Sequence, residues 1–155
     1  MNFQIIDINH HVHPIHDSLF ILVCIDSLRS KKGQLYHDLW MVWYELFASL
    51  RIPIWILTRD SPEDNLQIKS LYHSQLKYAT CIDLSLYQQL HAYKIKEVFS
   101  KPYAMVYPYA YIIYDHHIYK TIKRMNMNTI CDLYLAVLDI KYRKFVSDFK
   151  AKIKR

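Results

Sequence analysis

Apolar and polar positions along this chain switch between the two-residue period of strands and the 3.6-residue period of helices. Phe3 to Ile8 and Val12 to Ile15 read as short strands joined across His10-His11. Leu19 to Ile25 is an unbroken apolar run, the pattern of a strand buried on both faces. After the polar stretch Ser27 to Gln34, apolar side chains recur at Leu39, Val42, Trp43, Leu46, Phe47 and Leu50, which predicts a helix with one buried stripe. Ile52 to Leu57 is the next buried strand. Ser61-Pro62-Glu63-Asp64 then supplies a capping hydroxyl, a proline at the first helical position and two acids at the positive end of the dipole, predicting a helix to about Tyr72. Tyr78 to Ile82 is expected as a short strand, Ser85 to Tyr93 as a short helix, and Met105 to Tyr114 as a strand paired with Ile118 to Ile122 across Asp115-His116-His117. Thr129 is expected to cap a final helix running to about Phe149. The order predicts an α/β fold with a mixed central sheet flanked by helices, an N-terminal hairpin and a long C-terminal helix. Residues 1–149 form the expected single domain, with 150–155 a basic tail.

Composition narrows the function. The chain has 155 residues, 52% of them hydrophobic and 22% charged, enough for one domain with a real core. Its net charge of +6 is concentrated at one end: from Lys141 to Arg155 seven basic residues face one acid, and the remaining 140 residues hold 13 of each sign. The body therefore offers no electrostatic case for nucleic acid, while Lys150, Lys152 and Lys154 suit an acidic partner. No apolar run approaches the roughly 18 to 20 residues of a membrane span. Met1-Asn2-Phe3-Gln4 lacks the basic and apolar regions of a secretory signal. Three cysteines spaced 57 and 50 apart, with no C-x-x-C, exclude a disulfide framework and fit the cytoplasm or another reducing intracellular compartment. A single glycine, Gly33, excludes glycine-loop phosphate cradles, and no cofactor is expected.

Several strings in order resemble the peroxiredoxin branch of the thioredoxin-like fold, the alkyl hydroperoxide reductase and thiol-specific antioxidant family. Phe3-Gln4-Ile5-Ile6-Asp7 is similar to the family's opening strand, and Leu19 to Asp26 to the core strand that leads into the active site. Asp60-Ser61-Pro62-Glu63, Cys81-Ile82-Asp83 followed by Ala92-Tyr93, and Ile112-Ile113-Tyr114-Asp115 resemble later family strings. The resemblance implies a three-layer thioredoxin-like fold and thiol peroxidase chemistry.

The site that should carry that chemistry departs from the family. Peroxidatic members place P-x-x-x-T-x-x-C after the core strand, so that a helix N-terminus lowers the thiol pKa, a hydroxyl orients the peroxide and an arginine polarises the O–O bond. Without a gap, the proline falls on Asp26, the threonine on Ser30 and the cysteine on Gly33, and the arginine falls near Tyr109. No cysteine lies between Cys24 and Cys81, so no small slip restores the nucleophile. The expectation is a catalytically degenerate member that binds a protein partner or serves as a structural subunit. The alternative is a thiol-dependent oxidoreductase or peroxidase using Cys24 or Cys81.

Other candidates weigh less. Cys24 lies among apolar residues and reads as a small buried hydrophobe, and Cys131, in the first turn of the last helix, as structural. His10, His11, His13 and His16 lack a completing ligand set and read as turn histidines, so no metal is expected. No G-x-S-x-G elbow accompanies Ser30 or Ser61. Trp40 and Tyr44, four apart on one helix, and the odd-numbered tyrosines Tyr103, Tyr107, Tyr109 and Tyr111, on one face of a strand, form the candidate aromatic binding surface.

Overall fold

The computed structural model describes residues 2–154. Its centre is a seven-stranded mixed sheet built from β1 (Gln4–Asp7), β2 (Val12–Pro14), β3 (Leu19–Cys24), β4 (Ile54–Thr58), β5 (Lys77–Thr80), β8 (Ala110–Tyr114) and β9 (His117–Ile122), in the order β2-β1-β5-β4-β3-β8-β9. Strands β3, β4 and β5 run parallel, and every other pairing in this sheet is antiparallel. Four helices complete the main body: α1 (Lys31–Ser49), α2 (Pro62–Leu71), α3 (Ser85–Gln89) and α4 (Met127–Ile153).

The two-residue period of the central strands divides the core in two. Ile21 and Val23 of β3, Ile54 and Ile56 of β4, and Ile112 of β8 face one side, where α1 contributes Trp40 and Phe47 and α4 contributes Ile130, Leu133, Val137 and Ile140. The alternate residues Phe20, Leu22 and Cys24, Trp55 and Leu57, and Tyr111 and Ile113 face the other side, covered by Leu86, Tyr87 and Leu90 in and beside α3. Alternation on strands buried on both faces therefore assigns each side chain to one layer.

Several expectations change in detail. Met105 to Tyr114 is not one strand: Pro108, which has no N–H for a ladder, lies between β7 (Lys101–Val106) and β8. β7 pairs instead with β6 (Tyr93–Val98) in a separate antiparallel hairpin, so the helix expected to reach Tyr93 ends at Gln89. That hairpin turns through Phe99 and Ser100, both at positive φ (52° and 63°), with none of the Asn-Gly composition that announces such a turn. Asp115 and His116, at 48° and 67°, make the equivalent turn between β8 and β9. α4 is capped by Asn126, whose side chain accepts from Thr129 N while Thr129 Oγ1 accepts from Asn126 N, each at 3.0 Å. Thr129 is thus the reciprocal partner in a capping box, not the cap. Cys131 consequently lies one turn in. The helix continues to Ile153, so the expected boundary between 149 and 150 falls within it, and Lys150 and Lys152 are helical.

Candidate functional site

The peptide leaving β3 and the first turn of α1 enclose a cleft of about 430 Å³. Asp26, Ser30 and Gly33, predicted from the ungapped register, all line it, together with Tyr36, Met105 and Pro108. Three of the four predicted site positions therefore converge. The fourth, Tyr109, contributes its backbone: its carbonyl accepts from Cys24 N at 2.8 Å, which ties the loop after β7 to the end of β3.

Ser30 is the N-cap of α1, and its Oγ accepts from Gly33 N at 3.0 Å. Gly33 is the third residue of the helix, one full turn from the polar loop. The helix therefore begins eight residues before the apolar stripe does, because Lys31, Lys32 and Gln34 project into solvent and carry no periodic signal. The Ser30 hydroxyl donates to Ser27 O at 3.0 Å, and this holds the loop Ser27–Ser30 down against the helix. The Asp60 carboxylate fixes the same loop, accepting from Ser27 Oγ (2.7 Å) and from Leu28 N (2.8 Å). The result is a closed turn with Ser27 O directly over Gly33 Cα. A Cβ at position 33 would stand 2.9 Å from Ser27 C and from Ser30 Oγ, and closer still to Ser27 O. The position tolerates hydrogen and nothing larger without moving backbone.

Asp60 and Arg59 are site residues that the sequence reading missed. Arg59 Nε donates to Asp26, and its Nη2 reaches Ala104 O at 3.4 Å. The hydrogen bond to Asp26 raises the guanidinium pKa further. An arginine therefore does reach this site, from the end of β4, but it is paired with Asp26. The only available signal is proximity to Asp60-Ser61-Pro62-Glu63, a string that carries the family resemblance and opens α2 but does not by itself point to the cleft.

Neither fallback thiol opens on the cleft. Alternation along β3 points Cys24 into the layer opposite α1, where burial drives its pKa far up. Cys81, just beyond β5, packs against the same layer, and burial pushes it up to about 11. At neutral pH such a thiol is ionised to about one part in ten thousand.

The aromatic candidates separate. Trp40 is fully buried, with its indole N–H donating to Met125 Sδ at 3.1 Å, and Tyr44 packs half-buried against the same core. Tyr111 is also core, its hydroxyl donating to Leu90 O at 2.7 Å. Tyr107 and Tyr109 stack on one another at 5.2 Å in the loop after β7, with Lys123 Nζ 5.9 Å from the Tyr109 ring. The break at Pro108 puts Tyr103 on a different strand, so no single aromatic ribbon forms. Lys150, Lys152 and Lys154 are exposed at the far end of α4. Among the predicted turn histidines, His13 has Nε2 2.9 Å from Asp7 Oδ2 and Nδ1 2.7 Å from Pro14 O.

Deeper under α1, His37 is buried with Nε2 2.5 Å from the Tyr78 hydroxyl, which donates to Ser74 Oγ at 2.7 Å. With the Tyr78 proton committed to Ser74, Nε2 carries the proton and donates. Burial lowers the His37 pKa and raises that of Tyr78 to about 12, so both stay neutral.

A parallel β3-β4-β5 core with antiparallel β8-β9, an N-terminal hairpin and α1 starting at the end of β3 defines the thioredoxin-like fold in its peroxiredoxin arrangement. Solved structures agree. The chain matches the Xanthomonas campestris bacterioferritin comigratory protein, studied for alkyl peroxide reduction, with a TM-score of 0.73 at 12% identity, covering 89% of this chain and 90% of that one. The peroxidoxin BcpB of Mycobacterium tuberculosis matches with a TM-score of 0.73 at 13% identity, covering 90% and 93%. A peroxiredoxin-like protein of Aquifex aeolicus matches with a TM-score of 0.70 at 9% identity, covering 88% and 84%. No family model matches the chain, and no curated protein matches it by sequence.

Proposed function

We propose that this chain is a peroxiredoxin-fold protein that acts by binding a protein partner, without peroxidatic chemistry at the cleft under α1. The packing at Gly33 carries the reading. Ser27 O, held by Ser30 and indirectly by Asp60, takes up the space that any side chain at the nucleophile position would need. A cysteine has no room at this position unless the loop Ser27–Ser30 moves. Asp26 and Arg59 neutralise one another at the edge of the cleft. The cleft retains an apolar wall of Met105, Val106 and Pro108, flanked by the stacked Tyr107 and Tyr109, a surface suited to an inserted side chain. Three free cysteines favour a reducing compartment such as the cytoplasm.

A second reading, thiol-dependent peroxide reduction through Cys24 or Cys81, is favoured by the alkyl peroxide reduction studied in the Xanthomonas relative and by the placement of both thiols against one sheet face. One experiment separates the two. Hydrogen peroxide consumption with dithiothreitol is measured for the native chain and for Cys24→Ser, Cys81→Ser and the variant lacking all three cysteines. The binding reading expects only the background rate of a free thiol in every single variant. Turnover at enzymatic rates that Cys24→Ser or Cys81→Ser abolishes would establish the second.

A further inference from the structure

The last buried residue of α4 is Ile140. Beyond it the helix continues for thirteen residues, about 20 Å, with no buried side chain. A free helix of that length is marginal in water, since its stability ordinarily comes from packing an apolar face. This segment has such a face, and it is bare. Tyr142, Phe145, Phe149 and Ile153 are 68%, 67%, 55% and 67% exposed, and the Phe145 and Phe149 rings stack at 6.4 Å.

Helical geometry shows how the face is framed. At 100° per residue, Tyr142, Phe145, Val146, Phe149 and Ile153 fall within an arc of about 100°. That arc is turned roughly 150° from the one by which Ile130, Leu133, Val137 and Ile140 enter the core, so it does not extend the core. Lys141 and Lys152 border it on one side, and Arg143, Lys150 and Lys154 on the other. Only Asp148 is acidic in this segment. Asp139, in the preceding turn, pairs with Arg143 at 3.2 Å, and residues 1–140 are neutral overall, so the net positive charge belongs to this end of the chain.

We infer that the free segment of α4, Lys141–Ile153, lies on an anionic lipid bilayer surface, with Tyr142, Phe145, Phe149 and Ile153 at the acyl boundary and the flanking lysines among the headgroups. An apolar stripe with aromatic side chains between two basic borders matches that interface in both polarity and charge. A second copy fits poorly, because pairing two such stripes would bring lysine borders against lysine borders with one acid apiece. The inference stands apart from the state of the Gly33 cleft, and its test involves no peroxide chemistry.

The full chain is sedimented with vesicles of phosphatidylcholine alone or with about 30% phosphatidylserine. The native protein should partition into the anionic vesicles at least tenfold better than into the neutral ones, and release as salt rises. Phe145→Ser/Phe149→Ser should reduce partitioning at least tenfold, and Lys150→Glu/Lys152→Glu/Lys154→Glu about fivefold or more per charge. Both variants should melt within about 2 °C of the native protein, since none of these side chains is buried. Equal partitioning into both vesicle types, no partitioning at all, or native-like partitioning by the Phe145/Phe149 variant would overturn the inference. So would sedimentation equilibrium showing a native dimer that the Phe145/Phe149 variant cannot form, which would assign the stripe to a second copy.

Discussion

Replacing Gly33 with alanine sets two opposing effects against one another. Alanine is the better helix former by about 1 kcal/mol, and in an open helical position the change should stabilise the protein. Here the new methyl would stand 2.9 Å from Ser27 C and Ser30 Oγ, and closer to Ser27 O, all on a loop with little freedom. To reach ordinary contact, Ser27 O must move away, which strains its bond from Ser30 Oγ and the two bonds that Asp60 accepts from Ser27 Oγ and Leu28 N. Overpacking of this kind costs about 1–3 kcal/mol, and each hydrogen bond weakened adds about 1 kcal/mol. With three bonds weakened and alanine's helix preference subtracted, the clash wins by about 3–5 kcal/mol. In a chain of this length that lowers Tm by roughly 6–20 °C. Thermal unfolding followed by circular dichroism, with Gln34→Ala as an exposed control on the same turn, measures it. A Gly33→Ala protein that melts at or above the native temperature would refute the closed loop. Gly33→Cys should suffer the same loss, because its Cβ meets the same loop.

Three further outcomes are expected. His37 has its folded pKa lowered by burial, so the unfolded chain binds its proton first; stability should be full above the unfolded value near 6.5 and fall as pH drops below it, and His37→Gln should flatten that part of a urea-denaturation pH profile. Asn65 is buried, accepting from Thr58 Oγ1 at 2.9 Å and donating to Thr80 Oγ1 at 3.2 Å; Asn65→Ala should cost about 2–3 kcal/mol by denaturant unfolding, against less than 1 for the exposed Gln67→Ala. Truncation after Tyr142 should leave Tm within about 2 °C of the native value, because no side chain beyond Ile140 is buried; a larger drop would mean that the end of α4 supports the body.

How far the sequence could be read depended on whether a structural cause left a mark in residue type. The central strands were legible because burial on both faces demands unbroken apolar runs, as in Leu19–Cys24 and Ile54–Thr58. α2 was legible because Ser61 does cap it, accepting from Asp64 N at 3.1 Å. Asp26, Ser30 and Gly33 line one cleft because they lie within eight residues of one another, on the loop after β3 and the first turn of α1. The β6-β7 hairpin was not legible: its strands are largely exposed, so they show no inward-facing alternation, and its turn lacks glycine and asparagine. Arg59 and Asp60 were missed because their partners Asp26 and Ser27 lie more than thirty positions away in the chain. Trp40 and Tyr111, candidates for core or for an aromatic surface by their spacing, are both core. Aromatic content alone does not say which ring is covered, and both are held inside by hydrogen bonds to groups remote in sequence.

The economy of glycine in this protein runs opposite to the usual one. Eight described residues occupy positive φ, among them His10, Arg51, His73, His91, Phe99 and Asp115, and none is a glycine. The only glycine is in an ordinary helical conformation, where its value is the absence of a side chain. Each left-handed residue that carries a Cβ costs about 1 kcal/mol or more relative to glycine. The protein thus carries a dispersed load of backbone strain at its turns, away from the cleft. An exposed position such as Phe99 is where evolution or an engineer could recover stability by introducing a glycine, leaving the one at position 33 as the glycine that cannot be traded.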